Sequence, residues 1–261
     1  AVRTQHPEID AGTISRPIFV LGLPRTGTSI LHELLAQDPA SRVPMSWEVM
    51  HPYPPPERAT FTSDPRIAQV EKHLGGVDRL IPDFKSVHPM GALLPQECVA
   101  ITAHDFASLQ FHTTNRLPGY QAWLDDADLT WVYANHRRWL QYFQWQAPAE
   151  RWVLKSPGHL WALDALLTVY PDARIVQTHR DPVKVAASLV SLICTLRSMA
   201  TDQIDPHEIG LDWTTRLARG LEHTIDVRDR LLLPAEQVFD VQFPEFMRDE
   251  IGTVQRIYRH F

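Results

Sequence analysis

Lysine is scarce in this chain, which carries four, Lys72, Lys85, Lys155 and Lys184, against 21 arginines. Cysteine is scarcer still: Cys98 and Cys194 have neither metal-ligand nor redox spacing. That excludes a disulfide-built scaffold and makes a reducing cytoplasm the expected setting. No apolar run approaches the roughly 20 residues that span a bilayer, and the amino terminus lacks a basic-then-apolar leader, so neither secretion nor a membrane span is expected. Net charge is small, -6 over 261 residues, which excludes bulk attraction to nucleic acid or anionic lipid. An anion must then be met by a local cluster. The thirteen histidines offer no ligand-like spacing, since neither His104 with His112 nor His51 with His88 fits one, so no metal is expected.

What is present is a 44% hydrophobic composition, ample for a buried core, and a recurring order of short apolar run, tight loop and amphipathic stretch. "PIFVLG" at 17–22 leads into "TSILHELLAQ", whose Ile30, Leu31, Leu34 and Leu35 share a helical stripe. "RWVLK" leads into a stretch carrying Leu160, Leu163, Leu166 and Leu167, and "ARIVQTH" leads into a helix that Asp181 can cap with Pro182 at its first position. "QVFDVQF" precedes the last helical pattern, "EIGTVQRIYRHF", with Ile251, Val254 and Ile257 on one face. That pattern ends without a capping glycine, and the native chain is expected to continue past 261. The fold expected is α/β, an open parallel sheet of about four to five strands resembling that of P-loop proteins, flanked by helices. Residues 1–261 read as one domain. The proline-rich segment 51–65 reads as a surface connection, and 66–147 as a helical insert dense in aromatics, from Phe106 and Phe111 to Phe143 and Trp145. Those rings either pack the helices together or line a pocket.

The loop "GLPRTGTS" has Walker A spacing but places Thr28 where a nucleotide triphosphatase keeps its lysine. Its backbone can curl into a nest for a tetrahedral anion at a helix amino terminus, with hydroxyls at Thr28 and Ser29 and the forked guanidinium of Arg25 at its crown. Arg180 ends the third apolar run, at the carboxyl edge where open sheets bind ligands, and Ser188 follows about two turns into the next helix. Lys155 ends the second run, where a cation has no packing reason to stand; a lysine snorkelling out of a strand end is the plain alternative.

Taken together, "PRTGTS", "LKSPGHL" and "THRDPVKVAASLVSL" resemble the sulfotransferase superfamily, in particular its bacterial branch related to tyrosylprotein sulfotransferases. The resemblance extends over "HPMGALLPQEC" and "DVQFPEF". It implies the donor 3′-phosphoadenosine 5′-phosphosulfate (PAPS), the product 3′-phosphoadenosine 5′-phosphate (PAP), no metal, and a hydroxyl or amine on a small-molecule acceptor, apolar or a glycolipid. It also implies that Arg25, Thr26, Gly27, Thr28 and Ser29 hold the 5′-phosphosulfate and that Arg180 and Ser188 hold the 3′-phosphate. Lys155, with Arg25, then serves the leaving oxygen as catalytic cations. The base that takes the acceptor proton is Glu48 by position in the family; His159, Glu97 and His88 are the alternatives. Phe243 stands where the family has a tyrosine, and Ile30 where some relatives carry an aromatic. Two rival readings are a P-loop phosphotransferase, which would want a loop lysine and a Mg²⁺-holding aspartate, and a non-catalytic nucleotide-binding protein of the same fold. Oligomeric state is not encoded in any of these features.

Overall fold

The computed structural model describes residues 2–80 and 89–261. Five strands, β1 (Ile18–Gly22), β2 (Ser41–Arg42), β3 (Arg151–Lys155), β4 (Arg174–His179) and β5 (Val238–Gln242), form one sheet in the order β2-β3-β1-β4-β5. Every pairing is parallel. Strand β1 is buried along its whole length, which is why it reads as an unbroken apolar run: a central parallel strand has helices on both faces. Side chains alternate. Phe19 and Leu21 face a large core with Leu154, Ile175, Tyr133, Phe143, Leu163, Leu166 and Trp213. Ile18 and Val20 face a smaller one with Leu31, Leu35, Val153, Val176, Phe246 and Ile257.

Register carries the site. Val20 lies opposite both Lys155 and Val176, and Gly22 lies opposite Thr178, so β1, β3 and β4 end together at one edge and their loops emerge side by side. The helix Thr28–Leu35 returns from β1 with Leu31 and Leu35 fully buried. The helix after β4, Pro182–Arg197, starts as the sequence predicts: Asp181 accepts a hydrogen bond from the Val183 amide at 2.9 Å and Pro182 is the first helical residue.

Between β2 and β3 the chain folds mainly as helices, among them Pro65–Leu80, Cys98–Thr102, Pro118–Asp126 and Thr130–Gln144. Its aromatics mostly pack or face solvent. Tyr133, Tyr142 and Phe143 are in the core, whereas Phe106, Trp123 and Trp131 are exposed. At the carboxy end, Ile257 is buried but Ile251 is exposed; Thr253 takes the inward place expected of it. The reason is the helix start. Asp249 caps at Gly252 N, 2.9 Å, which sets the first turn facing outward.

Three histidines are enclosed: His32, His136 and His159 are each at most 2% exposed. Burial drives His32 and His136 down to about 3 and His159 well below the ordinary imidazole value, with Lys155 adding to the effect at His32 and His136 at His159. Each folded pKa lies below the unfolded one, so this stability is complete above about pH 6.5 and is lost as pH falls toward 3. The free energy of unfolding, measured by urea titration, should therefore decline as pH falls from 6.5 to 4. Constant stability over that range would contradict the burial of all three.

Candidate functional site

The loop after β1 is held by strained backbone and by one buried hydroxyl pair. Arg25 has φ +66° and Gly27, which caps the helix Thr28–Leu35, has φ +86°. A Cβ on Gly27 would stand 3.1 Å from the Phe243 ring, so both conformation and space ask for glycine. Thr26 is 1% exposed; its hydroxyl donates to Leu23 O at 2.6 Å and shares a 2.6 Å hydrogen bond with the Thr178 hydroxyl. The Thr26 side chain is thus spent on pinning the loop to β4. Its backbone and those of Gly27, Thr28 and Ser29 line the turn into the helix.

Two cationic clusters flank this loop. In the first, Lys155 is not a snorkelling strand-end cation but is 2% exposed. Its ammonium donates to Ser29 Oγ at 2.9 Å and to Glu97 Oε1 in a close ion pair. Glu97 stands at the amino end of the helix Cys98–Thr102, and the Cys98 thiol that follows it is buried. Burial pushes that thiol up to about 12, so it stays neutral. His32, which carries no sequence signal of its own, sits beneath, its Nε2 3.1 Å from Val153 O.

In the second cluster, Arg25 Nε donates to Ser188 Oγ at 3.1 Å, and Arg180 Nη1 donates to Arg25 O at 2.6 Å. The Arg180 guanidinium lies over the Phe243 ring, 4.3 Å from its centroid. Burial, then the charge of Arg180, lowers the pKa of Arg25. Two guanidiniums so close are stabilised by an anion between them. The structure thus brings together Arg25, Arg180 and Ser188 on one side and Lys155, Ser29 and Glu97 on the other. The sequence reading aimed Arg25 and Lys155 at one oxygen; here they make separate contacts. Phe243, singled out only as a departure, turns out to back both Gly27 and Arg180.

The remaining candidate bases are elsewhere engaged. Glu48 is fully enclosed; its two oxygens accept from Arg42 Nη1 and Nη2, each at 2.8 Å, and Oε1 also accepts from Met45 N at 2.9 Å. Arg42 in turn donates to Ala147 O and Phe143 O, 2.9 and 2.7 Å. An acceptor hydroxyl cannot reach a carboxylate sealed in this way, so the expectation of Glu48 as base gives way to a structural ion pair joining β2 to the insert. His159 is buried with Nδ1 2.7 Å from the Tyr133 hydroxyl and its ring edge-on to Phe19, and its low pKa makes it a weak base. His88 lies outside the described residues. Among those residues no cluster of His, Cys, Asp or Glu gathers to hold a metal ion.

Glu48→Gln should accordingly cost stability, on the order of 3 kcal/mol for unbalancing a buried ion pair, read as a lower urea midpoint. Full stability with lost activity would restore Glu48 to the chemistry.

Comparison with known proteins gives a consistent account of this geometry. The family model described as Sulfotransferase family matches residues 17–261. Among solved structures, the sulfotransferase STF1 from Mycobacterium tuberculosis superposes with a TM-score of 0.90 at 37% identity, covering 99% of this chain and 70% of that one. STF9 from Mycobacterium avium also gives 0.90, at 34% identity, with 99% and 67% covered. A curated relative, omega-hydroxy-beta-dihydromenaquinone-9 sulfotransferase Stf3 of Mycobacterium bovis, is 25% identical over 266 residues, 94% of this chain. The chain spans 62% of the length of that relative. With a match over nearly its whole length and a loop, sheet and cation arrangement to go with it, the chain belongs to the sulfotransferase family.

Proposed function

We propose that this chain transfers a sulfuryl group from PAPS to a hydroxyl of a small-molecule acceptor, with no metal. The observation that carries the reading is Lys155, a desolvated ammonium bound to the phosphate-type loop through Ser29 and to a carboxylate, Glu97, from the opposite element. Fit to the donor rests on this chain's own features. The Gly27 turn opens a helix amino terminus to an anion, and the crowded Arg25 and Arg180 guanidiniums gain from a phosphate between them. The loop also lacks the lysine that would reach a γ-phosphate.

The donor supplies an activated sulfuryl group on a phosphate oxygen. The loop amides from Thr26 to Ser29 hold the 5′ end, and Arg180 with Ser188 holds the 3′-phosphate. The acceptor oxygen bonds to sulfur as the bridging sulfur–oxygen bond breaks, and its electron pair stays on the phosphate oxygen of PAP. Lys155 meets the charge that grows there, and Arg25 adds to the positive potential from the loop. Glu97 receives the acceptor proton. Glu97 takes precedence over Glu48 and His159 because it is the carboxylate in contact with Lys155. The name of the Mycobacterium bovis relative carries an omega-hydroxy acceptor, which supports a hydroxyl over an amine.

PAP should raise the melting temperature more than ATP with Mg²⁺ does; equal stabilisation would favour a phosphotransferase. Arg180→Ala should weaken PAP binding about 10- to 100-fold, as for a lost charged hydrogen bond, with turnover restored at saturating donor. Lys155→Met and Glu97→Gln should keep PAP affinity within severalfold while single-turnover rates fall on the order of a hundredfold or more. Normal single-turnover rates in Glu97→Gln would remove it from the proton transfer.

A further inference from the structure

Strand β3 loses its neighbour on one side before it reaches Lys155. The Arg151 amide donates to Ala40 O on the β2 side at 3.3 Å, and the Ser156 amide donates to Val20 O on the β1 side, also at 3.3 Å. Successive residues of a parallel strand serve opposite neighbours, so the backbone groups of Val153, like those of Arg151, face β2. Arg42 lies opposite Trp152 and ends that strand. A longer β2 would next offer Val153 O the amide of residue 44, but Pro44 has no N–H. The acceptor left over is met from elsewhere: His32 Nε2 lies 3.1 Å from Val153 O. Because a carbonyl only accepts, Nε2 carries the proton and donates. His32 is 1% exposed, and burial, then the charge of Lys155, lowers its pKa to about 3, so the ring donates while neutral.

We propose that His32 is a positioning residue for sulfuryl transfer: it seats β3 against the helix Thr28–Leu35 and so sets where the Lys155 ammonium stands relative to the loop. His32 lies three residues after Ser29, on the same face of that helix, and Val153 lies two residues before Lys155 on β3. The helix therefore grips the strand twice. Ser29 Oγ receives the Lys155 ammonium at 2.9 Å, and one turn further from the loop His32 takes the strand backbone. The first contact ends on a long, flexible stem; the second joins a buried ring to the main chain and fixes the strand itself. Leu31 and Leu35 of the same helix share a core with Val153, but apolar contact is non-directional and does not set the strand's height. That height matters, because a reacting group misplaced by about 1 Å can cost on the order of a hundredfold in rate. The donor must also be neutral. Lysine or arginine at 32 would put a second cation beside Lys155, and leucine would leave Val153 O unpaired in the core.

The inference rests on the sulfuryl-transfer reading, and its test separates the two. With four lysines in the chain, a sample labelled with carbon-13 at lysine Cε gives few NMR signals, and Lys155→Met identifies the one from Lys155. His32→Leu, His32→Gln and a control, Glu48→Gln, would be compared with the wild type for this signal, free and with PAP, and for PAP affinity by calorimetry. In the wild type, PAP should move the Lys155 signal. His32→Leu should shift that signal in the free chain and reduce its response to PAP at least twofold, with PAP affinity within severalfold. His32→Gln, whose Nε2 can reach the same carbonyl, should bring both most of the way back. Glu48→Gln, weakened at another ion pair, should leave both at wild-type values. If the leucine variant does not fold, His32→Asn, polar but shorter, takes its place. An unshifted Lys155 signal in folded His32→Leu would overturn the inference, as would equal changes in His32→Leu and His32→Gln, or a shift of the same size in Glu48→Gln. A wild-type chain that binds PAP without moving the Lys155 signal would overturn the transfer reading instead, while the free-chain signals would still decide the role of His32.

Discussion

A full positive charge is kept almost dry at the end of β3, and the structure around it is organised to make that tolerable. Lys155 is 2% exposed. An ammonium so placed is costly unless it is paired and hydrogen-bonded, and its two partners come from different parts of the chain: Ser29 from the helix Thr28–Leu35 and Glu97 from the insert. The ion pair thus fastens three segments at one point. It also fixes the direction in which the ammonium points.

The parallel register makes this possible. Because β1, β3 and β4 end side by side, a loop, a lysine and an arginine far apart in sequence arrive at one edge. The Thr26–Thr178 hydroxyl contact locks the loop to the strand that carries Arg180. Arg180 then reaches back to Arg25 O, and Phe243 supports it from beyond β5. Each side of the loop is therefore positioned by a strand end.

Much of this was legible in the sequence, for physical reasons. Central parallel strands are buried on both faces, so β1, β3 and β4 show as apolar runs, and the glycine and hydroxyl spacing of the loop survives as a linear motif. Strand β2 was not legible: it has two residues, Ser41 and Arg42, and no periodicity to show. Carboxylates were the hardest. Glu48 and Glu97 look alike along the chain, and what separates them is a distant partner, Arg42 for one and Lys155 for the other. The aromatics of the insert carried no directional information either. Whether Tyr133 faces a cavity while Trp123 faces solvent is decided by helix packing that composition does not record.

Gly220 lies in the middle of the helix Pro206–Arg230, and a Cβ there would come within 2.7 Å of the Trp161 indole. Trp161 also donates to Arg216 O at 2.9 Å. The helix and the indole are therefore at contact distance with no slack between them. Any side chain added at 220 must either push the helix outward or displace the indole. Position 220 thus couples the long helix to the segment after β3, and a side chain there would disturb both at once.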